Sequence, residues 1–245
     1  EAVDDINQLI NSLERLIRKK KAIKKGVMQE LLTGKKRLPG FNETWEEVKL
    51  YEVVSRFATG LNPRQNFTLN TGGYCYYVTI KNFFDGQLFL DDECDKIDYE
   101  ALNKINKRSD LQKNDILFSS IGRIGDAYLI KETPENWNIN ESVFSLRPNK
   151  ERIEPLFLYY ILKSERVQSN LKDSTTGSTL KSIKMSHLKE VVCKIPNSKK
   201  EQKEISKILS DMDMEIEQLQ EKLNKYQKIK QGMMDELLTG KTRLI

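Results

Sequence analysis

One histidine and three cysteines in 245 residues leave little material for metal binding or acid–base chemistry. Cys75, Cys94 and Cys193 are widely spaced and form no Cys-x-x-Cys pair, which argues against a zinc site and for reduced thiols in a cytoplasmic setting. The lone His187 reads as a surface or packing residue. No apolar run approaches the roughly 18 residues that cross a bilayer, and neither a secretory nor a transit segment is visible. Glu1 already lies inside a helical pattern, so a natural N-terminus further upstream is expected. No Asn-Pro-Pro-Tyr methylase motif, helicase motif or metal-binding acidic motif occurs. No catalytic residue, metal or cofactor is therefore expected.

The net charge of +5 permits a nucleic-acid partner without requiring one. Residues 1–38 hold ten basic and five acidic side chains and residues 199–245 hold ten and nine, so the interior, with 21 and 22, is near neutral. Its signs are unevenly placed. Asp85 to Glu100 is acidic, whereas Lys104, Lys107, Arg108 and Lys113, and later Lys163 to Lys189, lean basic.

A single internal repeat brackets the chain. Lys24 to Leu38 recurs as Lys230 to Leu244 with eleven of fifteen positions identical, both copies carrying Glu-Leu-Leu-Thr-Gly-Lys. Upstream of each copy, apolar residues alternate at three- and four-residue intervals, the seam of a coiled coil. Ile10, Leu13 and Ile17 mark the first seam and Met212, Ile216, Leu219 and Leu223 the second, while Leu9, Leu16 and Ile23 widen the first stripe. Each helix should stop at its Thr-Gly, where Gly34 and Gly240 can take the left-handed conformation. About 160 residues separate the helices, so pairing requires opposite polarity, and a helix of some 30 residues is about 45 Å long. The fold class expected is α+β: a globular mixed α/β domain on a stalk of two long antiparallel coiled-coil helices. The boundaries expected are 1–34 for the first helix, 35–198 for the domain and 199–245 for the last helix.

Within the domain, strands are expected at 47–54, 74–80, 115–119, 127–131, 142–147 and 190–194, and a helix at 155–172. Gly240-Lys-Thr242 ends a helix and lacks the earlier glycine of a phosphate loop. Ser120 to Asp126 reads equally as a hairpin or as a turn bringing Arg123 to a phosphate. Asp91 to Asp95 matches no calcium loop and reads as a solvated acidic loop. Two polar loops suit DNA contact: Arg64, Gln65 and Asn66 can read base edges, and Thr176, Ser178 and Thr179 with Lys181, Ser182 and Lys184 suit phosphates.

The order of these marks resembles the specificity subunit of type I restriction–modification enzymes. The likeness rests on the repeated helix end, Pro39-Gly-Phe41, Trp45 to Val53, Thr59-Gly60 and Tyr77 to Asn82. It continues through Asp115 to Ser119, Gly125, Thr176 to Thr179, Ile183 and Ile195-Pro196 into the last helix. Two departures stand out: Leu180 replaces a frequent glutamine, and a Pro-Pro-Leu is reduced to Pro196-Asn-Ser198. The resemblance implies helix, target-recognition domain, helix: a C-terminal half or a half-size form. It implies that the domain reads one half of a split double-stranded DNA target; Lys81, Asn82 and Arg123 complete the DNA contacts expected of it. It also implies that the helices dock a methyltransferase subunit, which holds S-adenosylmethionine and methylates adenine, while a motor subunit cleaves DNA. A natural half-subunit would form a homodimer. The competing reading is a coiled-coil scaffold or adaptor with a protein-binding head.

Overall fold

A computed structural model describes residues 2–173 and 181–239. In chain order, α1 (Ala2–Leu31) leads to β1 (Trp45–Lys49), a single turn α2 (Leu50–Val53) and β2 (Val54–Thr59). There follow β3 (Cys75–Val78), β4 (Phe83–Phe84), β5 (Gln87–Leu88), β6 (Lys96–Ile97) and α3 (Tyr99–Ser109). Next come β7 (Ile116–Ser119), β8 (Ala127–Leu129), β9 (Trp137–Ile139) and β10 (Val143–Pro148). Helices α4 (Pro155–Lys163), α5 (Glu165–Asp173) and α6 (Met185–Lys189) precede β11 (Val192–Pro196) and α7 (Lys199–Leu238). The fold is α+β, as the patterning predicts. It divides into two compact units, Glu1–Glu30 with Lys207–Ile245, and Leu31–Ser206.

The first unit is the helix pair. Ile10, Leu13 and Ile17 of α1 bury against Leu223 of α7, with Ile6, Leu9, Leu219 and Tyr226 packed around them. Met212 and Ile216 are half-buried outside that cluster. Ion pairs fix the polarity: Lys20 meets Glu215 and Lys24 meets Asp213, so later residues of α1 face earlier residues of α7. The helices are antiparallel, the solution that a long intervening segment demands. Helix α1 ends where expected, with the Gly34 N–H donating to the Leu31 carbonyl at φ +70°; Gly240 lies outside the described residues. Serine at Leu219 or Leu223 should destabilise this pair, the buried Leu223 by about 2–5 kcal/mol and the half-buried Leu219 by less. Thermal melts followed by circular dichroism would check this; an unchanged midpoint in Leu223→Ser would contradict the packing.

Among the described residues the second unit holds four small sheets. A four-stranded antiparallel sheet runs β2-β10-β7-β8, a three-stranded sheet runs β6-β3-β9 with β3 and β9 parallel, and β1-β11 and β4-β5 are pairs. Strand β3 separates two cores by simple alternation. Cys75 and Tyr77 pack with Ile97, Leu102 and Ile105 of the α3 side, while Val78 joins Phe83, Leu117, Ile139 and Val143 on the other.

Three local outcomes differ from the expectations. The strand expected at 47–54 breaks after Lys49, because the Glu52 carboxylate accepts from the Lys49 N–H and closes a turn that buries Leu50 and Val53. The helix expected at 155–172 splits at Ser164, whose extended backbone (ψ 148°) ends α4 while its Oγ accepts from the Val167 N–H and starts α5. Helix α3 was not expected. Its Asp98 cap accepts from the Ala101 N–H at 2.7 Å, and only Ala101, Leu102 and Ile105 supply an apolar face within an Asn- and Lys-rich run.

Candidate nucleic-acid interface

The segment between β2 and β3 is anchored at its base and open at its tip. The Gly60 N–H donates to the Asn140 carbonyl at 3.1 Å, the Tyr77 hydroxyl to the Leu61 carbonyl at 2.6 Å, and Asn62 Nδ2 to Glu141 Oε1 at 2.6 Å. Burial first, then the Glu141 charge, pushes the Tyr77 phenol up, so it stays a neutral donor. Beyond these anchors Pro63 to Asn66 form a tight turn, closed by the Asn66 N–H on the Pro63 carbonyl (2.6 Å) and by Asn66 Nδ2 on the Asn62 carbonyl (2.7 Å). Arg64 and Gln65 project from it, exposed, with no hydrogen-bond or ion-pair partner among the described residues. Asn66 thus serves the turn, and Arg64 and Gln65 remain open to a ligand.

Sequence reasoning did not connect α3 with this turn. Arg108 donates twice to Thr59 Oγ1, at 3.1 and 3.2 Å, and Lys104 Nζ reaches the Asn66 carbonyl at 3.5 Å. Two cations therefore brace the segment at both ends, and Lys107 stands exposed beside them. The basic run at 104–108 was the available signal, but nothing in its spacing tied it to residue 64.

The other expected contacts converge around the β7–β8 hairpin. The chain from Ser120 to Asp126 is that hairpin's loop, with the Gly125 N–H donating to the Ser119 carbonyl at 3.1 Å. Arg123 is committed within the protein: Nε donates to Asp126 Oδ2 at 2.7 Å, and Nη2 to the Ile80 and Phe83 carbonyls at 2.8 and 3.1 Å. This draws the 80–83 turn alongside. In that turn Asn82 Oδ1 accepts from both the N–H and the hydroxyl of Thr79 at 2.9 Å, while the Lys81 side chain is exposed and unpaired among the described residues. On the other flank the Gly122 N–H donates to the Lys181 carbonyl at 3.2 Å, and Ile121 bridges Ser182. The side chains of Lys181 and Lys184 are exposed and have no partner among the described residues. Thr176, Ser178 and Thr179 lie outside the described residues.

The two clusters are linked. Glu141, which holds Asn62, is followed by Ser142, whose carbonyl accepts from the N–H (3.1 Å) and Oγ (2.7 Å) of Ser120. A short chain of hydrogen bonds thus runs from the Arg64 segment through 140–142 to the Arg123 loop and on to Lys181. It presents Arg64, Lys81, Lys181 and Lys184, which have no carboxylate partner among the described residues, an arrangement suited to phosphates and base edges.

Other reactive groups are placed differently. All three thiols are buried and free; burial pushes Cys94 up to about 11 and Cys193 up to about 12, so they remain protonated. Among the described residues no helix is long and apolar enough to cross a membrane, and no group of three or more His, Cys, Asp or Glu is arranged to hold a metal ion.

Comparison with known proteins adds a family and a fold. The profile of the family described as type I restriction modification DNA specificity domain matches residues 42–229. A candidate type I restriction enzyme MjaX specificity subunit of Methanocaldococcus jannaschii is 30% identical over 213 residues, covering 80% of this chain and 46% of that protein. The MjaVIII specificity subunit of the same organism is 26% identical over 257 residues, covering 99% and 59%. The chain thus spans about half the length of these relatives. Among solved structures, the type I S subunit from M. genitalium superposes with a TM-score of 0.64 at 16% identity, covering 96% of this chain and 58% of that one. The HsdS subunit from Thermoanaerobacter tengcongensis gives 0.61 at 16%, covering 96% and 54%.

Proposed function

Because the chain belongs to the type I restriction modification DNA specificity family, we propose that it recognises double-stranded DNA and takes no catalytic part itself. The observation that carries this reading is the set of exposed donors at Arg64, Gln65, Lys81, Lys181 and Lys184, unpaired among the described residues, on hydrogen-bonded neighbouring loops. On this reading the 35–198 domain reads one half of a bipartite target. With 21 basic against 22 acidic side chains the domain has no net positive charge to attract DNA, so tight binding needs partner subunits.

The helix pair is the proposed dock for the methyltransferase subunit. It is supported by apolar side chains left exposed after pairing: Leu16 and Ile23, seven residues apart on α1, and Met214 and Ile229 on α7. Methyl transfer and its cofactor then reside in that partner, and DNA cleavage in a motor subunit, within the cytoplasm. A natural half-length subunit would assemble as a homodimer.

The test is selection from a random duplex library by the full chain, alone and with a cognate methyltransferase subunit. Enrichment of one short half-site supports the reading; no enrichment with the partner present overturns it and favours a protein-binding adaptor. Arg64→Ala should cost about 1–3 kcal/mol and relax the preference at one position. Lys181→Ala should weaken all sequences alike and flatten the logarithmic salt dependence by about one unit. Anisotropy at several salt concentrations separates the two, and both variants should still assemble; failed assembly would misplace the DNA face.

A further inference from the structure

The β4–β5 ribbon exposes two aromatic rings that the site as built so far does not use. Phe83 faces the core and is 1% exposed, whereas Phe84 is 53% and Phe89 44% exposed. Phe84 pairs with Gln87 and Phe83 with Leu88, so Phe84, Gln87 and Phe89 alternate onto the outer face. The turn between the strands is Asp85-Gly86, with φ of +49° and +82°, the pair of left-handed residues that a tight two-residue hairpin needs.

The ribbon is tied to its neighbours. Asp85 pairs with Lys163 of α4 at 3.8 Å, and the Phe89 N–H donates to the Asn82 carbonyl at 2.7 Å. Beneath it, Arg123 holds the carbonyls at both ends of the 80–83 turn and places its guanidinium 5.0 Å from the Phe84 ring centre. Rings this exposed on so fixed a support suggest a surface kept for a partner.

We propose that the outer face of the β4–β5 ribbon is a DNA-reading element, with Phe84 and Phe89 meeting base edges and Arg123 acting as the positioning residue that holds the ribbon. The inference rests on the DNA-recognition reading above. Three features select duplex DNA as the occupant. A two-stranded ribbon fits the major groove, where an apolar ring contacts the thymine methyl. The flanking cation Lys81 has no partner among the described residues and is free for a phosphate. The surface also continues into the Lys181 loop through Gly122. Of the carboxylates nearby, Asp126 is engaged by Arg123, Asp85 by Lys163 and Asp95 by Asn70 Nδ2 at 2.8 Å, while Asp91, Asp92 and Glu93, which follow Phe89, are exposed.

The experiment uses the full chain assembled with its methyltransferase subunit. Duplex-library selection is run on wild type, Phe84→Ala and Phe89→Ala, with circular dichroism to check folding. A photoreactive benzoylphenylalanine at position 84 is then irradiated on the selected duplex. The expected result is a loss of roughly tenfold in affinity for the selected half-site, a flattened preference at one or two base pairs, and an unchanged salt slope, since no charge is removed. The crosslink should fall on DNA. Normal selection by a folded Phe84→Ala variant, or a crosslink to the methyltransferase subunit instead, would overturn the inference while leaving DNA recognition intact. Failure of wild type to select any sequence would defeat the underlying reading itself.

Discussion

Arg147→Ala should lower the unfolding free energy of the chain by about 3–5 kcal/mol, because it leaves a buried carboxylate without its cation. Asp115 is almost fully buried at the start of β7, and Arg147 of β10 grips it with Nε at 2.9 Å and Nη2 at 3.0 Å. The same guanidinium donates Nη1 to Asp110 Oδ2 at 3.0 Å and Nη2 to the Asp110 carbonyl. One side chain thereby joins the end of α3 to two strands of the four-stranded sheet. Asp115 Oδ2 also accepts from the Gln112 N–H at 2.9 Å, a neutral donor that does not replace the lost charge. The double variant Arg147→Met with Asp115→Asn should recover much of the loss, since it removes both charges and keeps an acceptor for Gln112. Urea denaturation at neutral pH would measure both; an Arg147→Ala chain within 1 kcal/mol of wild type would refute the account.

Acid should act through the same cluster. The Arg147 hydrogen bond, ahead of opposing burial, holds Asp110 below its ordinary carboxylate value. A depressed folded pKa means the contribution is complete above the unfolded value, near 4, and fades as the pH falls through the folded one. Asp110 is half-exposed, so solvent screening keeps this part of the effect small beside the loss of Arg147.

What could be read from the sequence followed the range of the interactions. The helix pair was legible because its signal is local and repeated: a heptad seam, a Thr-Gly stop and a second copy of both. Chain polarity then followed from the length of the intervening segment. The domain's strands were found where β-branched and aromatic residues form runs; missed were the two-residue β4, β5 and β6, the three-residue β9, and β2, which the strand expected at 47–54 reaches only at Val54. Such strands exist because partners hold them, Arg123 and Lys163 in the case of the ribbon. The candidate contacts show the same division. Arg64, Gln65 and Lys181 are exposed as their polar loops suggest, but Arg123, equally basic in sequence, is engaged by the Asp126 carboxylate and by backbone carbonyls of the 80–83 turn. No spacing rule reports that, since the accepting carbonyls lie some forty residues upstream. The ties from Asn62 through Glu141 and Ser142 to Ser120 are likewise tertiary, and they are what turns separate loops into one candidate surface.

The repeated helix end yields the second large effect. In the first copy Arg37 donates Nε to Glu201 Oε1 at 2.7 Å and Nη2 to Glu201 Oε2 at 2.8 Å, with Nη2 also on the Glu43 carbonyl at 2.8 Å. It lies 5.8 Å from the Trp45 ring, against which Gly34 packs so closely that a Cβ there would sit 3.1 Å from the indole. The pair fastens the chain after α1 to the first turn of α7 within the 31–206 unit. Its two members are unequally covered: Glu201 is 0% exposed and the Arg37 side chain 30%. Removing the arginine leaves a carboxylate that is itself fully covered without its cation, whereas removing the charge of the glutamate leaves a guanidinium that is already partly in solvent. Arg37→Ala is therefore expected to cost about 3–5 kcal/mol, and Glu201→Gln clearly less. Arg37→Lys should fall between, because it keeps the charge but loses the two-pronged geometry that engages both oxygens. Denaturation of the three variants side by side tests the order. Equal losses for Arg37→Ala and Glu201→Gln would mean that burial of the carboxylate is not what makes this contact strong, and that the motif's arginine acts chiefly through Trp45 and the Glu43 carbonyl.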